Sequence, residues 1–373
     1  MKSSSGKYYI GLDHLRALAV VMVFCWHFIH SRNIVPLDGS APWFAPLSLL
    51  TQGYTGVSLF MVLSGYLFAR LTDGQRLLHG RFWLNRALRL LPLLTVVVVV
   101  ACLKSIFFTH ELDVPHALLW GWLAPTLPQG AWSITVEMHF YLLLPVILWV
   151  AARSRAALLV IVAAAIGMRV AIHGLTEYTE YLSYYTMVGR IDQFLLGCLA
   201  YQWRSSIQGR HAWWLLAAAL FCGLMSYVDH QGSLFSRSTD MSSWWVVMTT
   251  IEGVFYGLTV AWYDTSFKHS TGPVSRFAAM VGRYSYSIYL LHTFVVFRLA
   301  ELIHRQVLSL DSAPLALLAA LVCLVLFLPV AALSYTLIEA PFLQRRVRYT
   351  VPLSELAEAR ETAPGEVKGR PAC

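Results

Sequence analysis

Two basic side chains, Arg16 and His27, stand eleven residues apart in the first apolar stretch of the sequence. In a helix, eleven residues rise about 16 Å and complete about three turns, so the two side chains share one face. A guanidinium at one mouth and an imidazole deeper along the same wall suit a tunnel. The first can hold an anion, and the second can move a proton. A second set opens Trp132-Ser133-Ile134-Thr135-Val136-Glu137, in which Ser133 and Glu137 are four residues apart and so meet on one helix face. Counted from the opposite end of its segment, Glu137 falls at a depth similar to that of His27. A carboxylate there would orient the imidazole and favour its protonated form. A third set, Arg86 and Arg89, stands one turn apart in the basic stretch 81–92 and suits phosphates. Structural readings stay open beside these: a snorkelling Arg16 with an interfacial His27, a His27–Glu137 ion pair joining two helices, and arginines placed only by membrane sorting.

Further ionisable groups interrupt apolar stretches at Arg190, Asp192, Glu252 and His292. Charge at mid-bilayer costs roughly 2.5–3.5 kcal/mol on insertion scales, so such groups face a cavity or a partner. Arg190 and Asp192 read more readily as mutual or interhelical partners than as chemistry. Glu252 and His292 fit a helix-to-helix hydrogen bond and a reactive role equally well.

The elements that must position these groups are membrane helices. Of 373 residues, 57% are hydrophobic and only 13% charged, against about a quarter charged in soluble domains. No single water-facing globule hides that much apolar surface, so a bilayer must solvate it. Ten apolar stretches approach span length, near 9–30, 51–70, 90–108, 132–152, 156–173, 186–203, 211–228, 243–263, 284–303 and 314–338. They are long runs rather than ten-residue alternations, which excludes a barrel and leaves helices. The fold expected is an all-α membrane protein, a bundle of about ten transmembrane helices. With the N-terminus inside, about three quarters of the Lys and Arg fall on the cytoplasmic side, so both termini are expected to be cytoplasmic. Residues 1–345 read as one transmembrane domain, and 346–373 as a short polar, mostly disordered cytoplasmic tail.

The net charge of +8 lies in short segments between spans, with no basic-aromatic module apart from them, so nucleic acid is not a partner. The six cysteines show no paired or His-linked spacing, which indicates neither a disulfide framework nor a zinc site. Lys2 and Lys7 before an apolar stretch imitate a signal peptide, but Asp13, His14, Arg16, Trp26 and His27 interrupt it, and it is expected to stay as the first span. No internal repeat of the kind common in transporters is visible.

Several segments, in order, carry a family resemblance: Leu12-Asp13-His14-Leu15-Arg16 with His27; Gly56-Val57-Ser58-Leu59-Phe60-Met61-Val62-Leu63-Ser64-Gly65-Tyr66; the Arg-rich stretch from Arg81 to Pro92; Trp132-Ser133 to Tyr141; Arg190 to Gly197; Tyr284 to His292; and Tyr335 to Phe342 with Glu339-Ala340-Pro341. Together they resemble the acyltransferase family 3 membrane proteins, which O-acylate cell-surface glycans and some small molecules. The chain departs from the pattern at Ser58, where the family often has Asp, at Asn85-Arg86, where it often has an Arg pair, and at His14, usually Gly. The resemblance implies a bacterial inner-membrane enzyme that takes an acyl group, usually acetyl, from cytoplasmic acyl-CoA, with no metal. The acceptor would be a hydroxyl of a glycan or a secreted small molecule. It implies that Arg16, Arg86 and Arg89 hold the donor's phosphates, that His27 is general base or acyl carrier, and that Glu137 assists it. Asp13, Trp132, Ser133, Arg190, Asp192 and His292 would take substrate-binding or supporting places. Many relatives carry an extra extracytoplasmic hydrolase-like domain, for which this chain has no room. The rival from another class is a proton-coupled transporter with His27, Glu137 and Asp192 as a relay, which would move substrate without releasing coenzyme A. A scaffold without catalysis leaves the buried ionisable set without a purpose.

Overall fold

In hydrocarbon every backbone N–H and C=O needs a partner within its own segment, so apolar runs of this length fold as helices. The computed structural model describes residues 9–31, 44–110, 113–176, 179–235 and 241–355. Its long helices are α1 (Ile10–Ile29), α2 (Gly53–Thr72), α3 (His79–Thr109), α4 (Trp132–Arg153), α5 (Arg155–Thr176), α6 (Met187–Gln202), α7 (His211–His230) and α8 (Met248–Ser266). The chain continues through α9 (Pro273–Arg283), α10 (Ser285–Phe294), α11 (Val296–Gln306) and α12 (Ala313–Leu343). This is an all-α, multi-pass membrane protein. Each of the ten apolar stretches is largely helical. Among the described residues, seven helices are long and apolar enough to cross a membrane, and α10 with α11, bent by 58°, makes an eighth.

The two remaining stretches, α6 and α8, are the polar ones, and their position explains it. Both are packed inside the bundle against α2, and α6 also against α5. A helix with most of its surface packed against neighbours can carry Arg190, Asp192 and Gln193 in α6 and Glu252 in α8, all fully buried, provided each finds a partner. Small residues set the spacing. A Cβ on Gly65 of α2 would lie 2.0 Å from the carbonyl oxygen of Phe194 in α6, and one on Gly53 would lie 1.9 Å from that of Met22 in α1. The backbones touch at both points, as close helix packing in membranes requires.

Helix α3 starts earlier than the sequence reading places its span. It begins at His79, so Arg81, Arg86 and Arg89 ride on the helix rather than on a loop before it. Beyond α12 the chain does not leave the bundle at once. Residues Thr350–Pro352 form strand β2, antiparallel to β1 (Gln75–Leu77), with Arg76 opposite Val351. Of the expected tail, residues 346–355 are thus held on the bundle, and 356–373 lie outside the described residues, as do Lys2 and Lys7.

Candidate functional site

The periodicity of α4 builds one wall of a cavity. Ser133, Glu137 and Tyr141 follow at four-residue steps on one face and line one cavity. Helix α1 contributes Arg16, α2 contributes Phe60 and Ser64, α3 contributes Arg86 and Arg89, and α10 contributes Tyr286 and Tyr289. Arg16, Arg86, Arg89, Ser133 and Glu137, separated by up to 121 residues of sequence, therefore meet in one space.

The charges in that space do not cancel. Arg16 donates to buried Asp13, 2.7 Å away on the preceding turn. Arg86 stands in a cage of rings, with its guanidinium 5.3 Å from Phe68, 5.6 Å from Phe82, and 5.8 Å from both Tyr141 and Tyr349. Its Nε is buried without a hydrogen-bond partner. Cation–π contacts of this kind hold a guanidinium without neutralising it. Neither Arg86 nor Arg89 has a carboxylate at ion-pair distance among the described residues. Glu137 accepts from Tyr141 and, at 3.3 Å, from Ser64. Glu339, buried in the last turns of α12, accepts from Ser287. The cavity is a basic pocket with apolar walls, suited to an anionic ligand carrying an apolar or extended arm.

Expected beside His27, Glu137 instead spends its hydrogen bonds on its own helix and on α2. The imidazole that faces His27 belongs to His292, with ring centroids 4.8 Å apart. The Nδ1 of His27 lies 2.8 Å from the Val23 carbonyl, and that of His292 lies 2.7 Å from the Tyr289 carbonyl. Carbonyls only accept, so in both rings Nδ1 carries the hydrogen when the ring is neutral, and Nε2 presents its lone pair. The Nε2 of His292 is buried without a partner. His292 sits where the α10–α11 span breaks, on the 3₁₀ turn His292–Phe294. Tyr289 connects this pair to the cavity. It lines the cavity, accepts from Ser133 at 2.7 Å, donates to the Gly130 carbonyl at 3.0 Å, and its ring centroid is 6.1 Å from that of His292.

The other predicted residues gather elsewhere. Asp192 pairs not with Arg190 but with Arg169 of α5, at 2.8 Å with both side chains fully buried. Thr250 joins Asp192, and Thr249 accepts from Arg169. Arg190 reaches Ser58 at 3.1 Å and Gln193 at 2.9 Å, and lies 4.2 Å over the Tyr184 ring. Trp132 packs on Tyr184 and Tyr185, with Arg190 5.5 Å from its ring. Glu252 accepts from Ser58. This second network joins α2, α5, α6 and α8. Arg169 and Tyr289 were not singled out in sequence, because their partners lie on helices whose pairing no local pattern reveals. Tyr141 did leave a signal, four residues beyond Glu137. Among the described residues no group of three or more His, Cys, Asp or Glu is arranged to hold a metal ion.

A multi-pass helical bundle around a basic cavity with a histidine pair beside it defines the class, and the chain belongs to the family of the acyltransferase domain, whose model matches residues 9–335. Among known proteins it is similar to the O-acetyltransferase OatA of Staphylococcus aureus, 25% identical over 331 residues, which cover 78% of this chain and 51% of that protein. It is also similar to the peptidoglycan O-acetyltransferase OatA of Listeria monocytogenes, 29% identical over 172 residues, covering 39% of this chain and 25% of that protein. The chain thus spans about half the length of the S. aureus relative it matches. No solved structure matches it.

Proposed function

We propose that the protein is a membrane O-acyltransferase that moves an acyl group, acetyl in the first instance, from acyl-CoA to an acceptor hydroxyl. The observation that carries the reading is the meeting of Arg16, Arg86 and Arg89 on one cavity with too little carboxylate to balance them. The phosphates of coenzyme A are matched by such a set, and the thioester arm extends past Glu137 and Ser133 towards Tyr289 and His27. The arginines lie on the side where positive-inside sorting puts the cytoplasm, the source of the donor, in a bacterial inner membrane. The acceptor, a glycan or small-molecule hydroxyl, approaches from the opposite side. This agrees with the names of the relatives, one of which is a peptidoglycan O-acetyltransferase.

In the transfer, Nε2 of His27 takes the proton of the acceptor hydroxyl as its oxygen attacks the thioester carbonyl. The carbon–sulfur bond breaks, and the departing thiolate takes the proton back from the imidazolium. The Val23 carbonyl holds the ring in the tautomer this requires. Attack by Nε2 itself, giving an acyl-His27 intermediate, is the competing route. Replacing His27 with Ala is expected to lower coenzyme A release in the presence of acceptor by roughly a hundredfold or more, with donor affinity retained. Turnover near that of the unaltered protein would remove His27 from the reaction. Trapping an acylated protein in single turnover would select the covalent route.

A further inference from the structure

The family match ends at residue 335, yet the chain beyond α12 folds back onto the basic end of the cavity. Asn85, on α3 beside Arg86, clamps the backbone of Val347 from both sides. Its Nδ2 donates to the Val347 carbonyl at 2.5 Å, and its Oδ1 accepts from the Val347 N–H at 3.0 Å. Two residues on, Tyr349 is buried against Phe82, with ring centroids 5.7 Å apart, and forms one wall of the cage around Arg86. The β1–β2 pairing then ties down residues 350–352. These anchors all follow Arg346, which is half-buried next to the Asn85 clamp, just beyond the end of α12.

Arg346 has a different setting from the basic residues around it. Arg348 is exposed and reaches Glu355 at 3.6 Å, and Arg345 lies 5.7 Å from the Phe342 ring. Arg346 donates only its Nε, to the Leu343 carbonyl at 3.2 Å, and has no carboxylate partner among the described residues. Burial, with the charges of Arg89 and Arg86 close by, lowers its pKa to about 10. Against the carboxylate of Glu137 on the cavity, the positive charge of three guanidiniums is in excess, which raises the free energy of the empty protein, and an anion bound among them relieves it.

We propose that residues 344–352 form a strap that adds Arg346 to Arg86 and Arg89, completing a site for the phosphates of a nucleotide-bearing thioester donor. The proposal rests on the donor reading above and extends it to a residue outside the family match. Asn85 is a positioning residue: it fixes the backbone next to Arg346 and does not touch the ligand.

The test is titration of detergent-purified full-length protein with coenzyme A at several salt concentrations, for the unaltered chain and for Arg346→Gln, Arg346→Lys, Asn85→Ala and Arg89→Gln. The melting temperature of each unliganded variant is recorded alongside. The expected result is roughly a tenfold loss of affinity in Arg346→Gln with a shallower salt dependence, much of it restored in Arg346→Lys. Asn85→Ala is expected to lose affinity in the same direction. Unchanged affinity and salt dependence in Arg346→Gln, with Arg89→Gln weakened, would overturn the strap site and leave the donor reading standing. A loss in Arg346→Gln that keeps the original salt dependence would mark the strap as structural and also overturn it. No binding to the unaltered protein would instead remove the donor reading itself.

Discussion

In the proposed transfer His27 acts through one nitrogen, and its backbone partner selects which. The Val23 carbonyl fixes hydrogen on Nδ1, the same arrangement recurs at His292, and the two rings meet edge to face. Residue type and spacing made His27, Arg16, Arg86 and Arg89 legible as candidates, because charge inside an apolar run stands out in any sequence. Their partners were less legible. Glu137 faces the arginine cavity and bonds Ser64 and Tyr141, so in this arrangement its first effect is on charge. Glu137→Gln keeps an acceptor for Tyr141 and removes a negative charge from a site proposed to bind phosphates. Coenzyme A should therefore bind several-fold more tightly to this variant at low salt. Equal or weaker binding in a titration would show that Glu137 does not act on the donor through its charge.

At the level of elements, α6 and α8 show how far hydropathy carries. Run length places both as spans, yet among the described residues neither is long and apolar enough to pass as one, and both carry the polar network packed against α2. The sequence hinted at this through Arg190 and Asp192, but the partner of Asp192 is Arg169 on another helix, 23 residues earlier, which no local rule selects. Removing one member of a fully buried pair strands the other. Asp192→Ala is therefore expected to destabilise the protein by about 3–5 kcal/mol. A large fall in melting temperature in detergent, with coenzyme A affinity kept by the fraction that remains folded, is the predicted signature. A stable variant that has lost activity would instead return Asp192 to the chemistry. The β1–β2 pairing leaves no signal for a different reason: each strand is only three residues long, and its support comes from the Asn85 clamp and buried Tyr349 beside it.

On the scale of the whole molecule, the bundle separates two groups of polar side chains along its length. Arginines gather where α1 and α3 begin, and the histidine pair lies near the end of α1, where the α10–α11 span breaks. The sequence made the membrane class, the helical segments and the family legible, because apolar run length and charged interruptions are local properties. The closing of five helices around one cavity is not local, and only the structure supplies it. That this cavity receives acyl-CoA is tested by acetyl-CoA-dependent thermal stabilisation of the purified protein, measured beside its Arg16→Ala variant. Saturable stabilisation of the unaltered protein, shifted to higher ligand concentration by Arg16→Ala, is the predicted result. No shift at any concentration, with the protein shown to be folded, would contradict it.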